Sequence, residues 1–189
     1  MLIAISGSQS CGKSTIINKI KELGFPVIER KTSRSILTDW NVSLAEINDN
    51  KELTIRFQNE IIKRKFDDEI LAANDPINVF FTERTYADLM IYFLLAAGGI
   101  NDMSNVLNDY YKQCINNQRV YNKVFYLKAG HFIPEHDGVR GSNIHYSRLV
   151  DLSMLDMTTQ MTASNKLTVI DTPCLEQRLN IILAHSRLD

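Results

Sequence analysis

The chain has 189 residues, of which 44% are hydrophobic and 23% are charged, and its formal net charge at pH 7 is −1. This length and composition exclude a disordered chain and predict one globular domain over residues 1–189, while the near-neutral charge gives no general attraction to nucleic acid. Three widely spaced cysteines argue against a disulfide framework, and the lack of a basic leader and of any apolar run of about 18 residues predicts a cytoplasmic protein without a membrane partner.

A glycine-rich loop follows the first predicted strand, residues 2–5, and precedes an amphipathic helix over residues 14–23. It comprises Gly7, Ser8, Gln9, Ser10, Cys11, Gly12, Lys13 and Ser14, and Thr15 follows it. The two glycines allow a tight turn that directs backbone N–H groups and the positive end of the helix at an anion. Lys13 can reach the β and γ phosphates of a nucleotide, and the Ser14 hydroxyl is placed to coordinate their Mg²⁺. Strand, loop and helix together predict a P-loop that binds ATP through these residues and Thr15.

Residues 26–29 are predicted to form the end of a second strand, with Glu29 as its last residue. A carboxylate at this strand end would face the same cleft as Lys13, within reach of a phosphate acceptor, which makes Glu29 a candidate base. The cations Arg30, Lys31 and Arg34 follow it. They favour an acceptor that already bears phosphate, either a nucleoside monophosphate or a DNA strand, although a solvated helix start also explains Lys31 and Arg34.

Helical patterns follow over residues 32–40, in a turn capped by Ser43 with Glu46, and over residues 51–74. The long helix repeats apolar side chains at helical spacing, and this face is predicted to lie in the core. Its members are Leu53, Phe57, Ile61, Ile62, Phe66 and Ile70. Residues 77–81 then form a third strand that is too apolar to lie at a sheet edge.

A charged pair, Glu83 and Arg84, follows the third strand directly. Glu83 can bind Mg²⁺ there or accept a proton, and Arg84 can neutralise charge on a phosphoryl group in transfer. The alternative is that Glu83 caps the next helix and Arg84 forms a surface ion pair, but Thr82 or Thr85 would cap that helix more simply.

The remaining elements alternate between helix and strand. Helices are predicted from Thr85 to the Gly98-Gly99 pair and over residues 101–118, 147–162 and 175–186, and strands over residues 123–127 and 167–170. Strands separated by helices predict an α/β fold with a five-stranded parallel sheet that helices cover on both faces. Ligands of such sheets bind at the carboxyl ends of the strands.

These motifs together resemble those of the nucleoside and nucleotide monophosphate kinases among the P-loop proteins. Glu83-Arg84-Thr85 resembles the Glu-Arg-Ser motif of deoxyribonucleoside kinases and the Asp-Arg-Tyr motif of thymidylate kinases. Over nearly all of the chain, the spacing of the motifs is more similar still to a family of small single-domain P-loop kinases that is common in phages and related to the ribosylnicotinamide kinase domain.

The resemblance implies roles for acceptor-side and lid residues. A glutamate placed like Glu29 is the base of deoxyribonucleoside kinases. The polar segment of residues 129–148 corresponds to the lid of these kinases, and its Arg140 and Arg148 would grip the phosphates and exclude water.

The resemblance also implies an adenine contact after the fifth strand. The turn of residues 171–174 is where these kinases cradle adenine, which points to Pro173 as a contact. Arg178 in the next helix would stack near the purine or form a surface ion pair with Glu176.

We therefore predict an α/β P-loop kinase whose five-stranded parallel sheet has the order 2-3-1-4-5, as the resemblance implies. It would catalyse ATP- and Mg²⁺-dependent phosphoryl transfer to a nucleoside monophosphate, with a deoxypyrimidine nucleotide favoured by the resemblance. Ser14 and Glu83 would organise Mg²⁺, and Arg30, Arg34 and Arg84 would bind the acceptor. The alternatives are phosphorylation of a hydroxymethylated pyrimidine in DNA, phosphorylation of a nucleoside or ribosylnicotinamide, and a nucleotide-dependent switch or ATPase, which usually carries a Walker B strand ending in aspartate. The partner is a small-molecule nucleotide or DNA, and a homodimer remains open.

Overall fold

Four strands of the described chain form one parallel sheet. The computed structural model describes residues 1–28, 33–98, 104–132 and 143–186. Within these ranges the strands β1 (Leu2–Ser6), β2 (Phe80–Glu83), β3 (Lys123–Leu127) and β4 (Leu167–Ile170) are ordered β2-β1-β3-β4. Ile5 pairs with Glu83 on one side and with Phe125 on the other, so the carboxyl ends of the central strands meet at one edge.

The predicted strand end at residues 26–29 is wrong for residues 26–28, which the structure describes and which form no strand. The sheet of the described residues therefore has four strands and not five. Val27 forms only an isolated parallel bridge with Phe81. The Phe81 N–H donates to the Pro26 carbonyl (2.9 Å), and the Ile28 N–H donates to the Phe81 carbonyl (2.8 Å). Pro26 has no N–H with which to extend the ladder. The other strands have the predicted order. The third predicted strand, β2, was expected to be too apolar for a sheet edge, but it lies at the edge of the sheet in the described residues, because only the single bridge of Val27 lies beyond it.

Helices alternate with the strands, as predicted. They are α1 (Lys13–Glu22), α2 (Ser33–Trp40), α3 (Leu44–Asp49), α4 (Lys51–Ala73), α5 (Tyr86–Ala96), α6 (Ser104–Gln118), α7 (Ile144–Met161) and α8 (Leu175–His185). The predicted capping box of Ser43 and Glu46 opens α3, and Asn143 caps α7 ahead of its predicted start. Most of the predicted lid, residues 133–142, lies outside the described residues. Across the described ranges, no helix is long and apolar enough to cross a membrane.

The strand β1 is buried on both faces of the sheet. Its successive side chains point to opposite sides, so Leu2 and Ala4 pack with residues of α4, α5 and α6, while Ile3 and Ile5 pack with residues of α1 and α8. All four side chains are fully buried, as expected for a parallel strand that helices cover on both faces. The P-loop therefore starts from a rigid support.

The long helix α4 departs from its predicted core face in its second half. The predicted apolar positions of the first half that are fully buried are Phe57, Ile61 and Ile62. In the later turns, however, Lys65 and Glu69 are fully buried, and Phe66 and Ile70 are only partly buried. Lysine and glutamate are rarely buried unless they are paired.

Candidate functional site

The loop between β1 and α1 has the tight backbone that an anion site requires. Gly7, Ser10 and Gly12 have φ angles of 136°, 58° and 91°. A Cβ atom at Gly7 would collide with the carbonyl oxygen of Leu127, so only glycine fits at this position without a shift of the end of β3. The glycines thus permit both the turn and its close packing on the sheet.

Lys13 begins α1 with its ammonium group folded back over the loop. Its Nζ donates a hydrogen bond to the Ser8 carbonyl (2.5 Å) and lies 3.5 Å from the sulfur of Cys11. Only 5% of Lys13 is exposed. A phosphate group bound in the loop would give this buried ammonium an anionic partner, which a buried charge strongly favours.

A cavity of about 440 Å³ opens above the loop. We call it the donor cavity. It is lined by most of the residues that the sequence predicts to bind ATP, namely Gln9, Ser10, Gly12, Lys13, Ser14, Thr15, Pro173 and Arg178. The remaining predicted residues, Gly7, Ser8 and Cys11, are buried beneath this surface, so they shape the loop without facing the cavity.

Arg178 joins α8 to the loop from inside the protein. Its Nη1 donates to the Cys11 carbonyl (2.6 Å) and its Nε to the Thr172 carbonyl (2.5 Å), and only 2% of the residue is exposed. The alternative of a surface ion pair with Glu176 is therefore wrong. Burial lowers the pKa of the guanidinium, although Asp171 acts against this shift. The Nη2 atom has no hydrogen-bond partner among the described residues.

Phe132 is a residue of the donor cavity that the sequence analysis missed. Its ring centroid lies 5.2 Å from the guanidinium carbon of Arg178, and 44% of Phe132 is exposed. An aromatic face beside a guanidinium is a suitable surface for a planar base. Lys128 and His131 each pair with Asp171 at 2.7 Å, which ties this segment to the end of β4 and lowers the pKa of Asp171. The sequence feature that could have identified Phe132 is an aromatic residue within the otherwise polar segment of residues 129–148.

Glu83 ends β2 next to the first turn of α1. The Ser14 hydroxyl donates to Glu83 Oε2 at 3.3 Å. Thr85 caps α5 and forms a capping box with Asp88, so the alternative in which Glu83 caps this helix is wrong. A hydroxyl and a carboxylate at this distance fit Mg²⁺, which takes few protein oxygens and completes its coordination with phosphates and water.

Arg84 occupies a strained turn between β2 and α5. Its φ angle is +68°, which is uncommon for a residue other than glycine, and its N–H donates to the Ile5 carbonyl (2.9 Å). The guanidinium carbon lies 4.6 Å from the ring centroid of Tyr92. Burial would lower the pKa of this guanidinium, but Tyr92, Asp88 and Glu83 outweigh burial, and the pKa is raised.

The sequence analysis offered a surface ion pair as the alternative role of Arg84, and the structure shows no such pair among the described residues. Its Nη1 atom is buried and has no hydrogen-bond partner in the described part of the chain, so the alternative of a surface ion pair is wrong. Buried donors are normally satisfied, and an unsatisfied one calls for an explanation. An anionic ligand between the loop and Arg84 would supply the missing acceptor.

A second cavity of about 660 Å³ adjoins the donor cavity, and we call it the acceptor cavity. Ser14, Glu83 and Arg84 line both cavities. Apolar side chains from α1, α3, α4 and α5 form much of the acceptor cavity, and the polar side chains among its lining are Ser14, Asn18, Lys21, Ser33, Arg34, Asn48, Gln58, Glu83, Arg84 and Tyr92.

Gln58 and Tyr92 are acceptor-cavity residues that the sequence analysis did not identify. Gln58 is only 6% exposed, and it lines the acceptor cavity from α4. Tyr92 stands beside Arg84. A buried glutamine between core residues of a helix was the available signal, since such an amide normally has a partner.

The other predicted site residues divide into two groups. Arg34 borders the acceptor cavity at the start of α2, whereas Arg148 is exposed on α7 and lines neither cavity in the described part of the chain. The predictions for Glu29, Arg30, Lys31 and Arg140 fall outside the described residues.

Comparisons with known proteins give one family and several similar folds. A family model described as an AAA domain matches residues 2–178. No curated protein sequence matches the chain. The NadR protein in complex with NAD and AMP-PNP superposes with a TM-score of 0.69 at 13% sequence identity. The NadR protein in complex with NR superposes with a TM-score of 0.72 at 14% sequence identity. These matches cover all of this chain but only 51% and 52% of the NadR chains, so the chain spans about half their length.

Deoxyadenosine kinase from M. mycoides is similar over its whole length. The structure with bound dATP superposes with a TM-score of 0.71 at 15% identity and covers 98% of both chains. The structure with bound dCTP gives 0.69 at 17% identity, also over 98% of both chains. At these identities the likeness shows a common fold.

Proposed function

We propose that this chain, which belongs to the AAA domain family of P-loop proteins, is a kinase that transfers a phosphoryl group from ATP to a nucleoside monophosphate. The observation that carries the proposal is the sharing of Ser14, Glu83 and Arg84 by two adjoining cavities. Phosphoryl transfer needs a donor and an acceptor on opposite sides of the transferred group, with positive charge at its equatorial oxygens. Arg84, whose buried Nη1 atom has no hydrogen-bond partner in the described part of the chain, stands at that boundary.

The donor cavity suits ATP. The loop and Lys13 would hold its phosphates, and Phe132 with Arg178 and Pro173 would hold its base. The complexes of NadR with AMP-PNP and of deoxyadenosine kinase with dATP, which have the same fold, support a nucleotide here.

Mg²⁺ fits between the two cavities. Ser14 and Glu83 would hold it, and it would neutralise charge on the phosphates. Ser14 and Glu83 stand on different elements, so their side chains also fix the first turn of α1 against the end of β2.

Glu83→Gln keeps the shape of the side chain and removes its charge. We expect lower activity and a rise in the Mg²⁺ concentration for half-maximal rate, because a neutral amide oxygen is a weaker ligand than a carboxylate. The measurement is the initial rate titrated with Mg²⁺ at fixed ATP. Glu22→Gln, at an exposed position of α1, is the matched control. A Glu83→Gln titration identical to that of the unmodified protein would remove Glu83 from the metal site.

The acceptor cavity suits a nucleoside unit with phosphate at its rim. Phe57 and Ile61 offer apolar surface to a base, Gln58 offers a donor and an acceptor for its edge, and the exposed Arg34 offers a cation. A nucleoside is the second candidate acceptor, because the enclosed part of the cavity carries the features a base and sugar require. A DNA acceptor would have to flip its target base into the cavity.

Offering acceptors in parallel tests the proposal. Labelled ATP and Mg²⁺ are incubated with nucleosides, their monophosphates, unmodified DNA and DNA that contains hydroxymethyluracil. We expect label on a monophosphate. Label on nucleosides alone would support the second candidate, and label on modified DNA would support a DNA-modifying kinase. Release of phosphate with no acceptor labelled would contradict a kinase and favour an ATPase.

Gln58→Leu tests whether the acceptor base lies against α4. Loss of hydrogen bonds to the base, at about 0.5–1.5 kcal/mol each, should raise the acceptor KM about tenfold or more while the KM for ATP stays unchanged. Gln113→Leu, on the exposed face of α6, is the control. Equal acceptor KM values for Gln58→Leu and the unmodified protein would place the base elsewhere.

Arg34→Ala separates acceptors with and without phosphate. A charge-assisted hydrogen bond to phosphate contributes roughly 1.5–3 kcal/mol, so its loss should raise the KM for a monophosphate about tenfold or more and leave a nucleoside unaffected. Measurement at two salt concentrations distinguishes DNA, whose binding weakens steeply with salt. The exposed Arg119→Ala is the control. No change at either concentration would mean that Arg34 belongs to a solvated helix start.

A further inference from the structure

The helix α4 carries an ion pair in the interior of the protein. Lys65 Nζ donates to Glu69 Oε1 at 2.5 Å, and the side chains are each 1% exposed. Thr82 Oγ1 donates to the same oxygen (2.7 Å), and the Tyr121 hydroxyl donates to Glu69 Oε2 (2.9 Å). The Lys65 ammonium also lies 5.5 Å from the ring centroid of Tyr86. Neither charge of the pair contacts the donor or the acceptor cavity.

Stability alone is a weak reason for such a pair. The desolvation of two buried charges offsets most of their attraction, and apolar residues of similar volume commonly replace a buried pair without loss of stability. The reason for a buried ion pair at this position should therefore lie in the residues that the pair contacts.

The ion pair is hydrogen-bonded to the last residues of β2, immediately before Arg84. Glu69 holds the side chain of Thr82, and Lys65 Nζ donates to the Glu83 carbonyl at 3.4 Å. Arg84 follows with its φ angle of +68°. A strained backbone conformation persists only where its surroundings over-determine it. The Lys65 contact fixes the peptide group that enters this turn.

We propose that Lys65 and Glu69 are positioning residues, which hold the end of β2 so that Glu83 and Arg84 face the phosphoryl group in transfer. This inference rests on the proposed kinase function. The pair acts through the Thr82 side chain and the Glu83 carbonyl, and it touches no reacting atom. Its removal therefore slows the transfer step more than it weakens the binding of ATP.

The double substitution Lys65→Met and Glu69→Gln tests this role. It removes both charges together, which avoids leaving one buried charge unpaired, and the amide of glutamine still has groups for Thr82 and Tyr121. We expect kcat to fall about tenfold or more, the Mg²⁺ concentration for half-maximal rate to rise, and the KM for ATP to change less than about twofold. Thermal unfolding checks that the variant is folded.

Lys63→Met with Asp67→Asn is the matched control. These residues form an ion pair of the same spacing on the same helix, with Nζ and Oδ2 3.0 Å apart, but both side chains are exposed. We expect kcat and the Mg²⁺ dependence to stay unchanged.

Three outcomes are distinguishable. An unmodified protein that labels no acceptor contradicts the proposed function itself. An active unmodified protein with a folded double variant of equal kcat overturns the positioning role. If the double variant does not fold, Thr82→Val, which removes one hydrogen bond at nearly constant volume, decides: a lower kcat at unchanged KM for ATP supports the role, and an unchanged kcat overturns it.

Discussion

Lys13→Met is expected to lower kcat on the order of 10²-fold or more. The reason is that Lys13 is the cation of the phosphate loop, with its ammonium 2.5 Å from the Ser8 carbonyl and almost no solvent contact. In water a phosphate gains little from one more cation, but in a buried loop the same charge acts at low dielectric on the group being transferred. Methionine preserves most of the aliphatic volume. The measurement is the rate of label transfer from ATP to the best acceptor.

Lys19→Met is the control for this change. Lys19 lies on the same helix but pairs with Glu22 at the surface, where 45% of its side chain is exposed. Its substitution should leave kcat unchanged. Equal rates for Lys13→Met and Lys19→Met would exclude Lys13 from catalysis, and the circular dichroism of both variants shows whether the fold is intact.

Arg84→Met is expected to reduce kcat by about 10²- to 10³-fold without destabilising the protein. The buried Nη1 atom of its guanidinium has no hydrogen-bond partner in the described part of the chain, which is unfavourable for that donor until an anion arrives, whereas Tyr92, Asp88 and Glu83 stabilise the charge itself. Its removal loses these favourable contacts together with the unsatisfied donor, so the thermal unfolding midpoint should change little while the rate of transfer falls. A large loss of rate at nearly constant stability is typical of residues retained for function.

Arg64→Met provides the comparison for Arg84→Met. Unlike Arg84, Arg64 on α4 forms two ion pairs: its Nη1 lies 2.6 Å from Asp39 Oδ2 and its Nε lies 2.6 Å from Glu60 Oε1. Its loss should leave kcat unchanged and lower the unfolding midpoint slightly. If Arg84→Met unfolds at a markedly lower temperature and retains its kcat, Arg84 is a structural residue.

Local geometry made the phosphate loop and the β2 end predictable from the sequence. The positive φ angles of Gly7 and Gly12 follow from residue type, and Lys13 stands at a fixed offset from them. Glu83 and Arg84 directly follow a buried strand, and the register of parallel strands brings that end next to the loop. Neither inference needs knowledge of distant contacts.

The walls of the acceptor cavity were not predictable in the same way. Gln58 and Tyr92 lie on helices that the sequence shows as apolar, and only the packing of α4 against α5 brings them to one cavity. Arg178 was assigned to a base contact or to a surface ion pair, and its burial against the Cys11 carbonyl, which excludes the ion pair, was not foreseen. These contacts join residues that are far apart in the chain, so local sequence patterns do not predict them.

The sequence by itself determined the parallel α/β fold and the phosphate loop, because hydrophobic periodicity and glycine geometry act over a few neighbouring residues. The order of the strands was predicted from the resemblance to P-loop kinases. Tertiary structure alone decided that residues 26–28 form one bridge and no strand, since a ladder there depends on Pro26 and its neighbours across β2. It also decided that Lys65 and Glu69, and not Phe66 and Ile70, are fully buried in α4. Helical periodicity shows which side chains share a face, but the polar partners that make a buried charge tolerable come from other elements, here Thr82 and Tyr121.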